Sequence, residues 1–486
     1  MTYPRKPNPT FEVGTDGIGW IVFDDPHREV NLLSRAVMEE FARCLAEARK
    51  LRESGKLKAI VLWSGKGTTF LAGADVGDIE NITDPALGEE GCRLGQEIFQ
   101  VLGELPFPTL AAIHGVCLGG GLEMALACTR RIASDAEETR LGFPEILLGI
   151  LPAWGGTTRL PHLIGLKEAS RMILSGKRYS ARRALALGLV DEVLFAQNFK
   201  ALTLEYAHRM VTAGSQPESR SPRTHWLLDR TVLGRRLVLA MARRKVMART
   251  GGHYPGPERV LEVLEASRKL PLREALALEA RVAGRLIASP VSKNLIHLFH
   301  LQGDARKGRG ISEKTLELPR YTIKDPAPEA GEEGMVHRVF EPYLDEARVL
   351  QKEGVGAGRI DAAARAFGME RGPFDLMTGK RPPEALRQEP DPEIGDRLVL
   401  RMVTEASVIM EEGGVSRAGG LDLALIVAAG FPPFRGGLLR YADQLGLPEL
   451  VAQIKGFARR FGPRFNPSPL LLDLAQKGES FYSRFP

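Results

Sequence analysis

Cysteine is scarce in this sequence of 486 residues, and long apolar stretches are missing from it. The chain has four cysteines, and no two of them stand at the C-x-x-C spacing of a zinc or redox site: Cys44, Cys92, Cys117 and Cys128. They predict free thiols in a reducing compartment. No run of about 18 apolar residues occurs and the mean hydropathy is −0.12, so we expect no membrane span. The polar residues 1–7 lack the apolar core of a secretory signal, and we therefore expect a cytoplasmic protein.

A strong charge imbalance and the common nucleotide and hydrolase motifs are missing as well. Lys and Arg number 66 against 60 Asp and Glu, and a net charge of +6 on this length does not indicate a nucleic-acid partner. It is compatible with a ligand that carries phosphates. The motifs G-x-G-x-x-G, G-x-x-x-x-G-K-[ST], H-E-x-x-H and G-x-S-x-G are absent, and the nine histidines show no metal-ligand spacing. We predict no metal site, no NAD site and no serine hydrolase of the G-x-S-x-G type.

Strand and helix signals alternate in the first part of the chain. Apolar runs bounded by turn residues predict four strands, at 11–13, 20–23, 59–63 and 109–113. Apolar residues at helical spacing predict two helices, over 34–54 and 91–104. Strands that alternate with helices indicate an α/β domain with a covered sheet.

The rest of the chain is rich in Ala, Leu, Arg and Glu and is predicted to be helical, with two polar stretches rich in Gly and Pro. Glu346 and Glu405, like Asp361 and Asp422, stand about 60 residues apart in similar surroundings. This spacing favours a duplicated helical unit over a chance similarity of Ala- and Glu-rich helices. We predict a first domain at 1–197 and a helical extension with a linker helix at 198–302. A linker at 303–335 leads to a first helical repeat at 336–378, and a second linker at 379–392 leads to a second repeat at 393–486.

Three consecutive glycines stand at a strand-to-helix junction. Residues 114–123, HGVCLGGGLE, follow a predicted buried strand and lead into an apolar helix. Glycine lets a ligand approach the backbone closely, and a helix start presents free N–H groups at the positive end of its dipole. Such a junction can stabilise an oxyanion. The alternative is a tight turn that needs glycine for its own geometry, and the acid Glu123 after three glycines argues against it.

Two further features gain meaning beside this junction. The AGAD turn at 72–75 is a weak signal alone, but it supplies a second oxyanion donor if the fold brings it beside Gly120. Glu145 enters the apolar segment 146–151, where burial would raise its pKa and suit it to acid–base chemistry. A first-turn helix acid is the alternative for Glu145, and Glu123 as a partner favours chemistry. Two carboxylates and two backbone donors fit an acyl-thioester reaction in which charge develops on the carbonyl oxygen.

Residues 1–195 resemble the crotonase (enoyl-CoA hydratase/isomerase) family. Four strings carry the resemblance in this order: FLAGAD at 70–75, GGGLE at 119–123, PEILLG at 144–149 and PAWGGTTRL at 152–160. The resemblance implies an α/β crotonase-fold N-terminal domain, a ββα superhelix. Residues 196–305 and 336–486 resemble other parts of the multifunctional fatty-acid oxidation α-subunits, through GHYP at 252–255 and GFPPFRGG at 430–437. They imply an all-α region like the C-terminal helical domain of 3-hydroxyacyl-CoA dehydrogenases.

The chain departs from those α-subunits where they carry a NAD-binding Rossmann domain. Only residues 303–335 separate the linker helix from the repeats, and one βαβ unit alone takes about that many. The catalytic His–Glu pair of the dehydrogenase belongs to the missing part, and a family Asn position is His337 here. The resemblance therefore implies that dehydrogenase activity is lost and that no NAD is bound.

Carried over residue by residue, the resemblance assigns the chemistry to two backbone donors and two acids. The N–H groups of Ala74 and Gly120 would hold the thioester oxygen. Glu123 and Glu145 would position and activate water, and Glu145 would deliver a proton to Cα while water adds at Cβ. We expect no separate cofactor, since CoA is part of the substrate.

The same resemblance gives weaker indications for CoA itself. Ala72 would lie near the adenine, and Arg28 is a candidate contact for a CoA phosphate. Family members often carry a Lys two residues after the AGAD Asp, and this position is Gly77 here. Phosphate contacts must therefore come from elsewhere.

Hydration of the 2,3 double bond of 2-enoyl-CoA thioesters, in metabolism of the β-oxidation type, is the function that these features favour. A Δ3-Δ2 enoyl-CoA isomerase is an alternative, because it can use the same oxyanion site and Glu145. A non-catalytic assembly subunit is another, in which the helical C-terminal half binds a thiolase-like partner. Crotonases often form trimers whereas the α-subunits pair with thiolase, so a homo-oligomer and a thiolase-like partner are both expected possibilities.

Overall fold

The computed structural model describes residues 8–213, 231–323, 331–382, 385 and 388–486. The chain forms two units that divide between Ser292 and Lys293, inside the segment 198–302 that the sequence assigns to a single helical extension. Each unit has its own apolar core. Within these described ranges, no helix is both long and apolar enough to cross a membrane.

The first unit contains the strands of the described part. They are β1 (Thr10–Val13), β2 (Ile18–Phe23), β3 (Ala59–Ser64), β4 (Thr69–Leu71), β5 (Thr109–Ile113), β6 (Val116–Leu118), β7 (Arg130–Ser134), β8 (Arg140–Gly142), β9 (Arg178–Ser180) and β10 (Glu192–Leu194). One sheet has the order β1-β2-β3-β5-β7-β10, and a smaller one has the order β4-β6-β8-β9. Most neighbouring strands are parallel, whereas β1 runs antiparallel to β2 and β8 runs antiparallel to β9.

Helices cover these sheets and continue beyond them within the first unit. They are α1 (Arg35–Glu53), α2 (Val76–Glu80), α3 (Pro85–Gly103), α4 (Gly120–Ala127), α5 (Gly156–Ile164), α6 (Leu166–Ser175), α7 (Ala181–Leu187), α8 (Phe199–Ala213), α9 (Val232–Thr250), α10 (Pro255–Ser267) and α11 (Leu272–Ile287). Short 3-10 helices span Pro144–Leu148 and Ala196–Asn198. The helix α12 (Pro290–Arg306) crosses the division between the units.

The predicted strands and helices of the first part are found close to their expected positions. The run 109–113 is β5, and the run 59–63 is β3 with one more residue. The helix predicted over 91–104 begins earlier, at Pro85. The Asp84 side chain caps it by accepting a 2.9 Å hydrogen bond from the Ala86 amide, and Pro85 takes the first helical position, where a missing N–H costs nothing.

In the residues described, the second unit contains helices and no strands. Its helices after α12 are α13 (Gly331–Lys352), α14 (Ala357–Phe367), α15 (Pro373–Thr378), α16 (Pro392–Glu411), α17 (Ala418–Ala429), α18 (Leu438–Leu445), α19 (Leu447–Phe461), α20 (Pro469–Lys477) and α21 (Phe481–Arg484). Short 3-10 helices lie at Glu313–Glu317, Pro433–Arg435 and Pro463–Phe465.

The predicted linkers are only partly open chain. The linker 303–335 includes the end of α12 and the start of α13, while its residues 324–330 lie outside the described part. In the linker 379–392, α16 begins at Pro392, and residues 383, 384, 386 and 387 are not among those described. Residues 214–230 of the predicted helical extension and residues 1–7 also lie outside the described part of the chain.

Two buried aspartates occupy matching places in the second unit. Asp361 in α14 accepts hydrogen bonds from the Phe374 and Asp375 amides at the start of α15. Asp422 in α17 accepts them from two successive amides at the start of α18, those of Leu439 and Arg440. In each case a carboxylate satisfies the free N–H groups of a helix start. This shared device supports a duplicated helical unit.

A charged cluster is buried between helices of the second unit. The Glu346 carboxylate, whose side chain is fully buried, accepts from the Arg397 Nε at 2.8 Å and from the Arg464 Nε at 2.7 Å. Arg397 also pairs with the more exposed Glu353. Removal of one member of a buried ion pair leaves an uncompensated charge, which costs far more than loss of a surface pair.

We expect Glu346→Ala to destabilise the second unit by about 3–5 kcal/mol. Hydrogen exchange resolved to α13 and α16 would show this as faster exchange of amides that are otherwise well protected. Glu393→Ala is the matched control, since Glu393 pairs with Arg460 at the exposed surface and its loss should change protection little. Equal exchange in the two variants would contradict the prediction.

Candidate active site

Three neighbouring strands of the smaller sheet bring the sequence-predicted pieces together. The parallel strands β4, β6 and β8 lie side by side. The AGAD turn, 72–75, follows β4, the glycines 119–121 follow β6, and Glu145 comes three residues after β8. Because the carboxyl ends of parallel strands meet at one edge, these segments leave the sheet at the same place, where α/β proteins commonly bind ligands.

Glycine allows the first two of these segments to touch. A Cβ atom on Gly73, which has φ +107°, would lie 3.2 Å from the Leu118 carbonyl oxygen and 3.8 Å from the Gly120 nitrogen. A Cβ atom on Gly121 would lie only 2.5 Å from the Leu71 carbonyl oxygen. The backbone of the AGAD turn therefore approaches the start of α4, as the predicted oxyanion site requires.

The two proposed oxyanion donors have no internal acceptor in the part of the chain that is described. Gly120 is the first residue of α4, and its N–H lies outside the hydrogen-bond ladder of the helix. The AGAD turn that carries Ala74 is held by two backbone hydrogen bonds, from Leu33 N to the Gly73 oxygen and from Ala72 N to the Asn31 oxygen, both 2.9 Å. Ala72 and Ala74 are half-buried.

Glu145 lies in the 3-10 helix Pro144–Leu148, beside the glycine turn. A Cβ atom on Gly119, whose φ is +52°, would come within 2.5 Å of the Glu145 Oε1 atom, so only glycine admits the carboxyl group here. The Oε2 atom is buried and, among the described residues, has no hydrogen-bond partner. Burial raises the pKa of Glu145 to about 8. An acid that is protonated near neutral pH and has a free oxygen is suited to proton transfer.

Glu123 lies in α4 and is anchored more firmly. Its Oε1 atom accepts hydrogen bonds of 2.7 Å from the backbone N–H groups of Trp154 and Gly156. Burial raises its pKa well above the ordinary value, and the charges of Glu145 and Glu279 raise it further, while the two amide donors oppose the shift. The predicted pair of acids thus shares one buried electrostatic environment.

The indole of Trp154 covers the Gly120 backbone on one side. A Cβ atom on Gly120 would lie 2.5 Å from the indole Cζ3 atom, and one on Gly95 would lie 2.5 Å from Cδ1. The Phe99 ring meets the indole edge-on with its centre 5.6 Å away. Trp154 is therefore fixed as a wall beside one proposed oxyanion donor.

Two polar residues that the sequence analysis did not single out support this site. Asn31 is buried behind the AGAD turn, where its Nδ2 atom donates to the Phe23 oxygen and to Ser64 Oγ, both at 2.9 Å. Glu279 in α11 is a third buried carboxylate near the pair. The sequence does contain a signal for Glu279: helical spacing places this acid on the same face as the apolar residues Leu276 and Ala280, all of which are buried in α11.

Arg28, the candidate for a CoA phosphate, lies at the AGAD turn. Its Nη1 atom bonds the Asp75 Oδ2 atom at 2.7 Å, and its side chain is 43% exposed. The guanidinium is thus paired with a carboxylate and still open to solvent. Its contact with a phosphate stays a prediction, as does that of Ala72 with adenine. Across the described ranges, no cluster of three or more His, Cys, Asp or Glu side chains is arranged to hold a metal ion.

Comparison with known proteins identifies the domain that carries these residues. Residues 14–219 match the family described as enoyl-CoA hydratase/isomerase. They form a hydratase/isomerase domain. The predicted family and the predicted fold, an N-terminal crotonase-type α/β domain followed by a largely helical region, are confirmed.

The alignments with similar proteins are longer than this hydratase/isomerase domain. The fatty acid oxidation complex subunit alpha of Vibrio vulnificus (strain CMCP6) is 38% identical over 308 residues, which are 63% of this chain and 43% of that protein. Its counterpart in Vibrio parahaemolyticus is 37% identical over 315 residues, 44% of its length. The chain thus matches less than half of each relative. An enoyl-CoA hydratase of known structure from Bacillus anthracis is 25% identical and aligns with 62% of this chain and 96% of its own, with a TM-score of 0.40.

We expect infrared spectroscopy to detect the protonated carboxyl group of Glu145 at neutral pH. Its band should decline as the pH rises through about 8, since the raised pKa keeps the acid form below that value. The band is isolated as the difference between the wild type and Glu145→Gln, with Glu137→Gln, at an exposed position of the same unit, as the matched control. A Glu145→Gln spectrum identical to that of the wild type at neutral pH would contradict the prediction.

Proposed function

We propose that this protein is an enoyl-CoA hydratase that adds water across the 2,3 double bond of 2-enoyl-CoA thioesters. The observation that carries the proposal is that two buried acids lie beside the glycine turn: Glu145, whose Oε2 atom has no hydrogen-bond partner among the described residues, and Glu123, which two amides anchor. The family match supports chemistry of the hydratase/isomerase type.

The proposed reaction begins with the thioester carbonyl. Its oxygen would accept hydrogen bonds from the Ala74 and Gly120 amides, which stabilise the negative charge of an enolate-like state. Loss of one such donor typically costs about 10²–10³-fold in rate. Polarisation of the carbonyl makes C3 susceptible to attack by water.

The two acids would then divide the proton transfers. Glu123, held by two amide donors, accepts a proton from water as its oxygen bonds to C3. Glu145 donates its proton to C2, so that one hydroxyl and one hydrogen are added and the double bond is consumed. At Glu123 the two amide donors oppose the rise in pKa that burial and the neighbouring charges cause, whereas the buried Glu145 Oε2 atom has no such donor among the described residues.

Isomerisation of 3-enoyl-CoA is the second candidate at the same site. That reaction moves a proton between carbons of the substrate and needs one carboxylate beside the oxyanion donors. The second buried acid, Glu123, favours hydration, because a water must also be deprotonated. We also propose that the protein has no NAD-dependent dehydrogenase activity, which predicts no NADH formation from 3-hydroxyacyl-CoA.

A role in fatty-acid oxidation is supported by the relatives, which are named as subunits of a fatty acid oxidation complex. We propose that the protein works in the cytoplasm and assembles, either with itself or with a thiolase-like partner. Measurement of its size in solution, alone and mixed with a thiolase, distinguishes the two. A free protein larger than one chain indicates self-assembly, and an increase in size on mixing indicates binding to the thiolase. Neither result depends on turnover.

We expect the purified protein to consume 2-enoyl-CoA, detected as loss of the enoyl-thioester absorbance. Glu123→Gln and Glu145→Gln should each lower the rate by about 10²–10⁴-fold, because each removes one proton-transfer group. Glu137→Gln is the control and should retain the wild-type rate. A folded wild type with no turnover of short or long 2-enoyl-CoA would overturn the hydratase proposal, and turnover of 3-enoyl-CoA alone would favour the isomerase.

We further expect kcat/KM for hydration to fall as the pH rises through about 8. The donor to C2 must be protonated, and burial raises the pKa of Glu145 to about 8, so the active form prevails below that pH and is lost above it. A pH–rate profile of the wild type tests this. A profile that stays flat through pH 8 would assign the proton donation to another group.

A further inference from the structure

The helix α11 brings a third carboxylate to the site from beyond the hydratase/isomerase match. The match ends at residue 219, whereas α11 spans Leu272–Ile287. It packs along α3, and the backbones come close because both carry glycine at the crossing: a Cβ atom on Gly88 would lie 3.0 Å from the Gly284 Cα atom. Glu279 lies on the inner face of α11 and is fully buried.

The Glu279 carboxylate is bound by one segment of backbone, residues 154–158. Its Oε1 atom accepts from the Gly155 amide at 2.6 Å, and its Oε2 atom accepts from the Thr158 amide at 3.0 Å. The hydroxyl of Thr158 donates to Oε2 at 2.9 Å, and that of Thr157 donates to the same atom. The Gln96 side chain of α3 adds a donor at 3.2 Å.

The same segment holds Glu123. The amides of Trp154 and Gly156 donate to Glu123, and the amide of Gly155 between them donates to Glu279. Three successive N–H groups thus donate alternately to two carboxylates. The position of Glu123 Oε1 depends on the Trp154 and Gly156 amides, and their position depends on the hydrogen bonds to Glu279.

We propose that Glu279 is a positioning residue of the active site, which fixes residues 154–158 and through them the carboxylate of Glu123. The proposal rests on the hydratase function proposed above, in which Glu123 accepts the proton from water. Glu279 itself does not touch the substrate. Its role is to keep the base within the narrow range of positions that proton transfer tolerates, where a 1 Å error costs about 10²-fold in rate.

Glu279→Gln tests the role, because it keeps the side-chain size and replaces one acceptor oxygen by an NH₂ group that faces N–H donors. We expect kcat to fall roughly 10- to 100-fold with little change in KM. Glu274→Gln is the matched control on the exposed side of α11 and should retain wild-type kcat. Equal kcat in Glu279→Gln and the wild type would overturn the proposal.

A double variant separates positioning from general structural support. If Glu279 acts through Glu123, then Glu123→Gln combined with Glu279→Gln should be no slower than Glu123→Gln alone, because the base is already lost. A further fall in the double variant, comparable to that of Glu279→Gln alone, would show an independent effect and overturn the proposal.

Hydrogen exchange provides a readout that needs no turnover. In Glu279→Gln, the amides of residues 154–158 should exchange faster than in the wild type, while Glu274→Gln leaves them unchanged. Unchanged exchange in Glu279→Gln overturns the positioning role, whether or not the protein is a hydratase. If the wild type does not hydrate 2-enoyl-CoA but exchange is faster in Glu279→Gln, only the hydratase function is refuted. If Glu279→Gln does not fold, Thr158→Val, which removes one hydroxyl donor, should give the same changes to a smaller extent.

Discussion

The site depends on the hydrogen bonds by which backbone N–H groups stabilise carboxylates that have been withdrawn from water. An isolated buried carboxylate is very costly, and it persists only if donors replace its hydration. Residues 154–158 supply these donors to two glutamates at once, at 2.6–3.0 Å for the amides. Glu145 is the exception, since its Oε2 atom has no hydrogen-bond partner among the described residues. This difference in environment is the basis for the different tasks that we propose for these chemically identical side chains.

The glycines determine how closely these groups approach one another. At Gly119 the positive φ and the contact with Glu145 exclude any side chain, and at Gly121 the Leu71 carbonyl does so. The parallel strands β4, β6 and β8 then place the three turns at one edge. The acids and the amide donors are therefore positioned by the backbone and need no mobile segment to bring them together.

Much of this arrangement could be predicted from the sequence because its signals are local. The strands 59–63 and 109–113, the glycine turn and the acid at 145 are each recognisable within ten residues, and the order of the four family strings fixes the fold. Glu279 could not be paired with Gly155 in this way, because the two are 124 residues apart and meet only through packing of α11 on α3. The wall formed by Trp154 depends on contacts with Gly95 and Phe99, which no local pattern reveals. The assigned roles of Ala72 and Arg28 stay predictions.

The close packing of α11 on α3 has a consequence for how segments of this protein and its relatives can be exchanged. Gly88 and Gly284 leave no space for a side chain at the crossing, and Glu279 of α11 accepts hydrogen bonds from Gln96 of α3 and from Gly155. A chimaera that joins a hydratase/isomerase domain from one relative to the following helices of another would combine mismatched halves of this contact. A segment exchanged with this contact intact therefore extends to the end of α11, well past residue 219, where the family match ends.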